Sequence, residues 1–251
     1  MNLRVIAVLN QKGGVGKRTT AINLAAAIAK LGKSVLIVDL DPQANATSGL
    51  AIDKNSLSVS IYNVLVSGAS ISDAVIDTHI EGLRLLPATT SLAAAEQELV
   101  SVLSRETVLK QALSTLSYDY ILIDCPPSLG LLSINALVAS DSVLIPVQTE
   151  FYALEGLGLL MQTIQRIQAG LNPNLSLLGV VLTMVDARNA LSGQVIAEVK
   201  KHFGDFVFQT FIPRNVRLAE APSFGKTVFE HDKWSKGARA YKALAKEVIA
   251  K

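Results

Sequence analysis

Residues 4–31 pass from a strand-like run, 4–10, apolar without a break at 5–9, through a glycine-rich loop into a helix-like stretch, 17–31. Within the 251-residue chain this succession constrains the fold most. A strand that is apolar on consecutive positions needs cover on both faces, as in a parallel sheet between helices. The rest of the chain repeats the alternation. Strand-like runs follow at 34–40, 83–87, 120–124, 142–147, 177–183 and 206–212, and helix-like stretches at 105–116, 130–139, 154–169, 192–203 and 235–250. This pattern predicts an α/β fold of three layers, a mostly parallel twisted sheet flanked by helices. Ligands of such folds sit beyond the carboxyl ends of the strands. Residues 51–63 are polar and short, a loop and helix entry rather than a linker, so residues 1–251 are expected to form a single domain.

The loop reads Gly13-Gly14-Val15-Gly16-Lys17, directly after a strand and opening a helix. Glycine reaches positive φ and allows close backbone approach, so successive N–H groups can converge on one anion. The positive end of the following helix adds to that field. Lys17 is placed to reach the outer phosphates of a nucleotide. Two features depart from the common G-x-x-x-x-G-K-[ST] pattern. Gln11 occupies the first glycine position, and a second lysine, Lys12, precedes the glycine pair. Arg18 stands where a hydroxyl normally binds Mg²⁺. A guanidinium has no acceptor atom and keeps its charge, so it repels the metal. Two readings stay open. Arg18 swings outward while water and Asp124 hold a weaker Mg²⁺, or the guanidinium takes the metal's place on the phosphate oxygens. Impaired Mg²⁺ binding and slow ATP hydrolysis are the expectation.

Residues 35–43, VLIVDLDPQ, close an apolar run with two acids. Strand alternation puts Asp39 and Asp41 on one side at the loop edge, and Pro42 limits the strand. Residues 120–128, YILIDCPPS, close a second apolar run with Asp124. A lone acid after a strand is usually a helix cap. Three acids at two strand ends, beside a phosphate loop, point instead to phosphoryl transfer.

The K-G-G-x-G-K loop resembles the deviant Walker A motif of the ParA/MinD family of P-loop ATPases. Residues 179–195 (GVVLTMVDARNALSGQV) and 212–226 (IPRNVRLAEAPSFGK) are similar to the ParA side of that family, in particular its small chromosomal members, the Soj group. Together these matches span residues 4–226. The resemblance implies a P-loop NTPase fold with ATP and Mg²⁺ as cofactors. It places Lys12, Gly13, Gly14, Val15, Gly16, Lys17, Arg18 and Thr19 around the nucleotide, with Thr19 at the α-phosphate. Lys12 would act on the phosphates of a partner copy, so ATP would promote a homodimer. Asp41 would orient the attacking water, while Asp39 and Asp124 would hold Mg²⁺ through water. Met184, Pro213 and Asn215 would flank the adenine. Arg188 and Arg217 would contact DNA without sequence preference, through phosphates and therefore sensitively to salt. A ParB-like activator would stimulate hydrolysis and release the DNA. The implied location is cytoplasmic and nucleoid-associated, with the cargo left open among chromosome origin, plasmid and protein assembly.

Charge agrees with a polyanionic partner. Net charge is only +2, but residues 186–251 hold twelve Lys/Arg against seven Asp/Glu. The alternative is a MinD-like, membrane-associated ATPase. Residues 233–251 do carry a helical apolar stripe, but it is alanine-rich and reads as a helix packed on the domain, so no membrane partner is expected. No apolar run approaches the length that spans a bilayer, and residues 1–14 show no signal-peptide pattern. The single cysteine, Cys125, excludes an internal disulfide and argues against an iron–sulfur partner of the same fold. His79, His202 and His231 adjoin none of the motifs and read as structural.

Overall fold

The computed structural model describes residues 3–150, 156–186 and 188–251. Seven strands form one sheet: β1 (Arg4–Val8), β2 (Val35–Asp39), β3 (Ile76–Asp77), β4 (Leu83–Leu86), β5 (Tyr120–Asp124), β6 (Ser142–Gln148) and β7 (Ser176–Thr183). Their order is β3-β4-β2-β5-β1-β6-β7, parallel throughout except for β3. Among the described residues the α-helices are α1 (Lys17–Ala29), α2 (Asn45–Gly49), α3 (Ile61–Val66), α4 (Ile71–Ala74), α5 (Leu92–Glu98), α6 (Val108–Leu113), α7 (Leu131–Ala139), α8 (Leu157–Gly170), α9 (Ala190–Phe203), α10 (Val216–Glu220), α11 (Val228–His231) and α12 (Lys236–Ala250).

Alternating side chains of the central strands feed two cores. Ile6 and Val8 of β1 join the core that contains α1 and α12, while Val5 and Ala7 join the one that contains α7 and α8. The sheet is thus the middle of three layers, as expected. Helix α1, rich in alanine, is buried on nearly all sides. Its small residues let α12 approach as an outer cover, with Ala238, Tyr241, Leu244, Ala245 and Val248 turned inward. The opposite end of the sheet is closed by β3, only two residues long, whose Asp77 accepts from Arg84 Nε at 2.7 Å.

Residues 206–212 do not form the expected strand. Val207 makes one isolated bridge to Val180, and Pro213 one to Val185. The Phe208 and Ile212 N–H groups still donate to Val180 and Leu182, but between them those of Gln209 and Thr210 donate to the Glu247 carboxylate of α12, which interrupts the ladder. Residues 105–107 form a 3₁₀ turn before α6. The expected helix at 154–169 is seen from Leu157, its first residues lying outside the described set. Helix α3 begins within the helix entry expected at 51–63, while α2, α4, α5, α10, α11 and strand β3 are each too short to show a periodicity.

Candidate nucleotide site

The loops after β1, β2, β5, β6 and β7 open on one edge of the sheet. There the glycine loop is braced from two sides. Asn10 Nδ2 donates to the Pro146 carbonyl at 2.7 Å while its Oδ1 accepts the Lys12 N–H at 3.0 Å. Thr183 Oγ1 donates to the Val15 carbonyl at 2.8 Å. Gly14 and Gly16 have φ of 76° and 86°, the left-handed region that glycine adopts without strain. Nothing crowds Gly16 closer than Thr183 at 3.8 Å, so conformation rather than space demands the glycine. Neither Asn10 nor Thr183 was singled out from sequence; an asparagine or threonine at a strand end carries no mark of its partner.

Lys17 opens α1, is only 9% exposed, and donates from Nζ to the Lys12 carbonyl at 2.9 Å. Burial lowers its pKa, and the charge of Asp124 opposes that fall. Lys12 is half exposed, with Nζ 3.5 Å from Glu150 Oε2 of its own chain. Arg18 is half-buried, and its charge opposes, without reversing, the rise that burial gives the pKa of Asp124.

Asp39 and Asp124 are register neighbours at the ends of β2 and β5. Both are buried. Burial raises Asp39 to about 6, against hydrogen bonds from Thr47 and Asp41 that lower it. Burial first, then Asp39 and Asp41, raise Asp124 well above the usual carboxylate range. The oxygens of Asp39 are occupied by protein donors: Thr47 N–H at 2.8 Å, Thr47 Oγ1 at 2.7 Å and Asp41 N–H at 3.2 Å. Asp41 itself lies beyond β2, partly exposed, and accepts from the Gln43 N–H at 3.0 Å. Asp39 thus faces inward and anchors the turn that carries Asp41, where alternation alone had put the two side by side. Cys125, next to Asp124, is buried and its thiol is pushed up by that burial.

The donor set fits a nucleotide's phosphates: a loop of turned backbone, a helix start and a buried lysine. For Mg²⁺ the fit is poorer. Among the described residues no three acid, His or Cys side chains group closely enough to hold a metal alone. Asp39 and Asp124 would hold Mg²⁺, through water, only with phosphate oxygens completing the shell, and position 18 adds a positive charge in place of an oxygen ligand.

Beside the loop lies a cavity of about 230 Å³, lined among others by Thr19, Met184, Pro213, Asn215, Leu218 and Tyr241. The three residues expected around a base are brought together there with Thr19. Met184 holds a left-handed φ of 52°, flanked by the paired backbones of Val185 with Ile212 and Arg214. Asn215 also caps α10 by accepting the Arg217 N–H at 2.9 Å. Tyr241 reaches in from α12 and shares a 3.1 Å hydrogen bond with Thr20 of α1. Its helix position shows only that it faces inward, so its place at this cavity was not legible.

Arg188 and Arg217 lie outside the cavity. Arg188 is exposed but bonded to Asp186, at 3.1 and 3.2 Å. Arg217 is paired with Glu220 at 2.9 Å and lies 3.6 Å from Asp232. The three histidines sit beside Glu230, Glu198 and Glu220, away from the glycine loop.

The model of a family described as an AAA domain matches residues 3–177. The sporulation initiation inhibitor protein Soj of Bacillus subtilis is 57% identical, over 98% of this chain and 98% of its own. The chromosome partitioning protein ParA of Caulobacter vibrioides is 50% identical over 99% of this chain and 95% of its own. A Mycobacterium smegmatis structure, described as cobyrinic acid a,c-diamide synthase with bound ATP analog and magnesium, superposes with a TM-score of 0.88 at 40% identity. It covers 99% of this chain, which covers 95% of it.

Proposed function

The chain belongs to the ParA/MinD family of P-loop ATPases, on its Soj/ParA branch, and on that premise we propose that it is an ATP-driven partitioning switch acting on DNA. One observation carries this reading: the braced glycine loop with buried Lys17 opens directly onto the cavity of Met184, Pro213 and Asn215. A phosphate cradle and a base-sized apolar pocket sharing Gly16 and Thr19 fit one adenine nucleotide.

ATP with Mg²⁺ would supply the reactive γ-phosphoryl group and part of its charge neutralisation. Lys17 binds the phosphates, and the loop N–H groups orient them. Asp41 holds the attacking water from the turn that Asp39 fixes. Lys12 leaves Glu150 to reach the phosphates of a second copy, so nucleotide and dimer form together. Arg18 competes with the metal and slows turnover. In the dimer, Arg188 and Arg217 exchange their own acids for DNA phosphates, and two such patches raise avidity. A ParB-like activator stimulates hydrolysis and ends the DNA-bound state. The whole of residues 1–251 acts as one domain, in the cytoplasm and on the nucleoid.

The membrane alternative has less support, because the apolar side of α12 lies against α1. No helix among the described residues is long and apolar enough to cross a membrane. The test is duplex binding and molecular mass with ATP, ADP or no nucleotide, across a salt series. Dimerisation and salt-sensitive DNA binding with ATP are expected; DNA binding indifferent to nucleotide, or a monomer with ATP bound, would overturn the switch.

A further inference from the structure

We propose that the exposed face of α12 is a second contact surface for the DNA backbone, continuous with Arg217. The inference rests on the DNA reading above and says where along the chain the duplex lies.

Helix α12 has two unlike sides. Gly237, Ala238, Tyr241, Leu244, Ala245 and Val248 are buried. Lys236, Arg239, Lys242 and Lys246 are exposed, at spacings of three, three and four, which align on one helix face. None of the four makes an ion pair among the described residues. The only acid of the helix, Glu247, is held elsewhere by the N–H groups of Gln209 and Thr210, at 2.9 and 2.8 Å. The contrast with Arg188 and Arg217 is direct, since each of those must give up a carboxylate before it can meet a phosphate.

The stripe also has the right placement and length. A Cβ at Gly237 would lie 2.7 Å from Leu218 Cγ, so the first turn of α12 lies hard against α10, which carries Arg217. From Lys236 to Lys246 the helix rises about 15 Å. That matches the axial span of about four to five phosphates on one strand at about 3.4 Å each. A lipid surface fits less well, because an interfacial helix inserts an apolar face, and here that face covers α1. Through Tyr241 and its bond to Thr20, the same helix touches the base cavity and α1. Nucleotide occupancy and the stripe therefore share one rigid element.

The test compares the full chain with K236Q/R239Q/K242Q/K246Q, glutamine being a comparable helix former. Each is titrated, with ATP, by a short duplex of arbitrary sequence at several salt concentrations. Trp234 is the only tryptophan, is 77% exposed, and lies 5.4 Å from Lys233 Nζ just before the stripe. Its fluorescence reports contact alongside anisotropy of the labelled duplex. The slope of log affinity against log salt should fall by about 3 to 4, at about 0.9 per lost phosphate contact, with ATP binding and melting temperature unchanged. An unchanged slope would overturn the stripe while leaving Arg188 and Arg217 in place. No duplex binding by the unaltered chain would fell the DNA reading and the stripe with it. Binding of the stripe to phosphatidylglycerol vesicles in preference to duplex would also overturn it. If the fourfold variant does not fold, K242Q/K246Q replaces it, with an expected fall of about 2.

Discussion

At one end of the nucleotide site, Lys17, Asp39 and Asp124 bury charge at the tips of three adjacent elements. At the other end, Met184, Pro213, Leu218 and Tyr241 surround a largely apolar space. The first end is costly to build, since each charge must be matched by a partner or by a proton. The second is stabilised by ordinary packing and can be assembled from distant segments. The phosphate end therefore responds to pH, metal and single charges, while the base end responds mainly to shape.

The strongest way to break that contrast is through Asp39. Its folded pKa of about 6 lies above the usual 3.8, so the folded chain holds a proton that the unfolded chain releases. Its contribution is least unfavourable below about pH 4, and stability falls as pH rises through the window from about 4 to 6. Asp39→Asn keeps an oxygen for Thr47 and removes the charge, but sets its amide nitrogen against the Asp41 N–H, which offsets part of the gain. Without nucleotide it should be more stable by up to about 3 kcal/mol at pH 8, an advantage that fades toward pH 4. Urea unfolding at both pH values measures this, and parallel curves for the two proteins would refute it.

Arg18→Thr comes next in size. It restores an oxygen ligand and removes a cation beside Asp124, so Mg²⁺-dependent ATP turnover should rise by about tenfold, worth about 1.4 kcal/mol. An unchanged rate would show that position 18 does not limit this chain. The smallest effect belongs to the base end. Tyr241→Phe removes one buried hydrogen bond to Thr20 and keeps the ring, costing about 1 kcal/mol of stability. ATP affinity should stay within about twofold, because the cavity keeps its shape; a larger loss would place a polar requirement at this end too.

The same contrast decides what could be read from sequence. Gly13 to Lys17 are contiguous, and their chemistry follows from residue type and position, so the phosphate end was legible before any fold was known. Met184, Pro213 and Asn215 were singled out only through resemblance. Tyr241 and Thr183 were not found, because what matters is which distant backbone or hydroxyl each one meets. Residues 206–212 show the limit for secondary structure. Their apolar run suits a strand, yet Glu247, nearly forty residues on, takes the N–H groups a ladder would need. The central strands had no such rival, and their apolar runs marked them correctly.

The two-residue strand β3 has a consequence for behaviour at high concentration. A long bare edge recruits a neighbouring chain into a shared sheet, the first step toward insoluble aggregates. Here that border is short, runs against its neighbour and ends in the charged pair of Asp77 and Arg84. Molecules crowded side by side would find little at that border to zip onto.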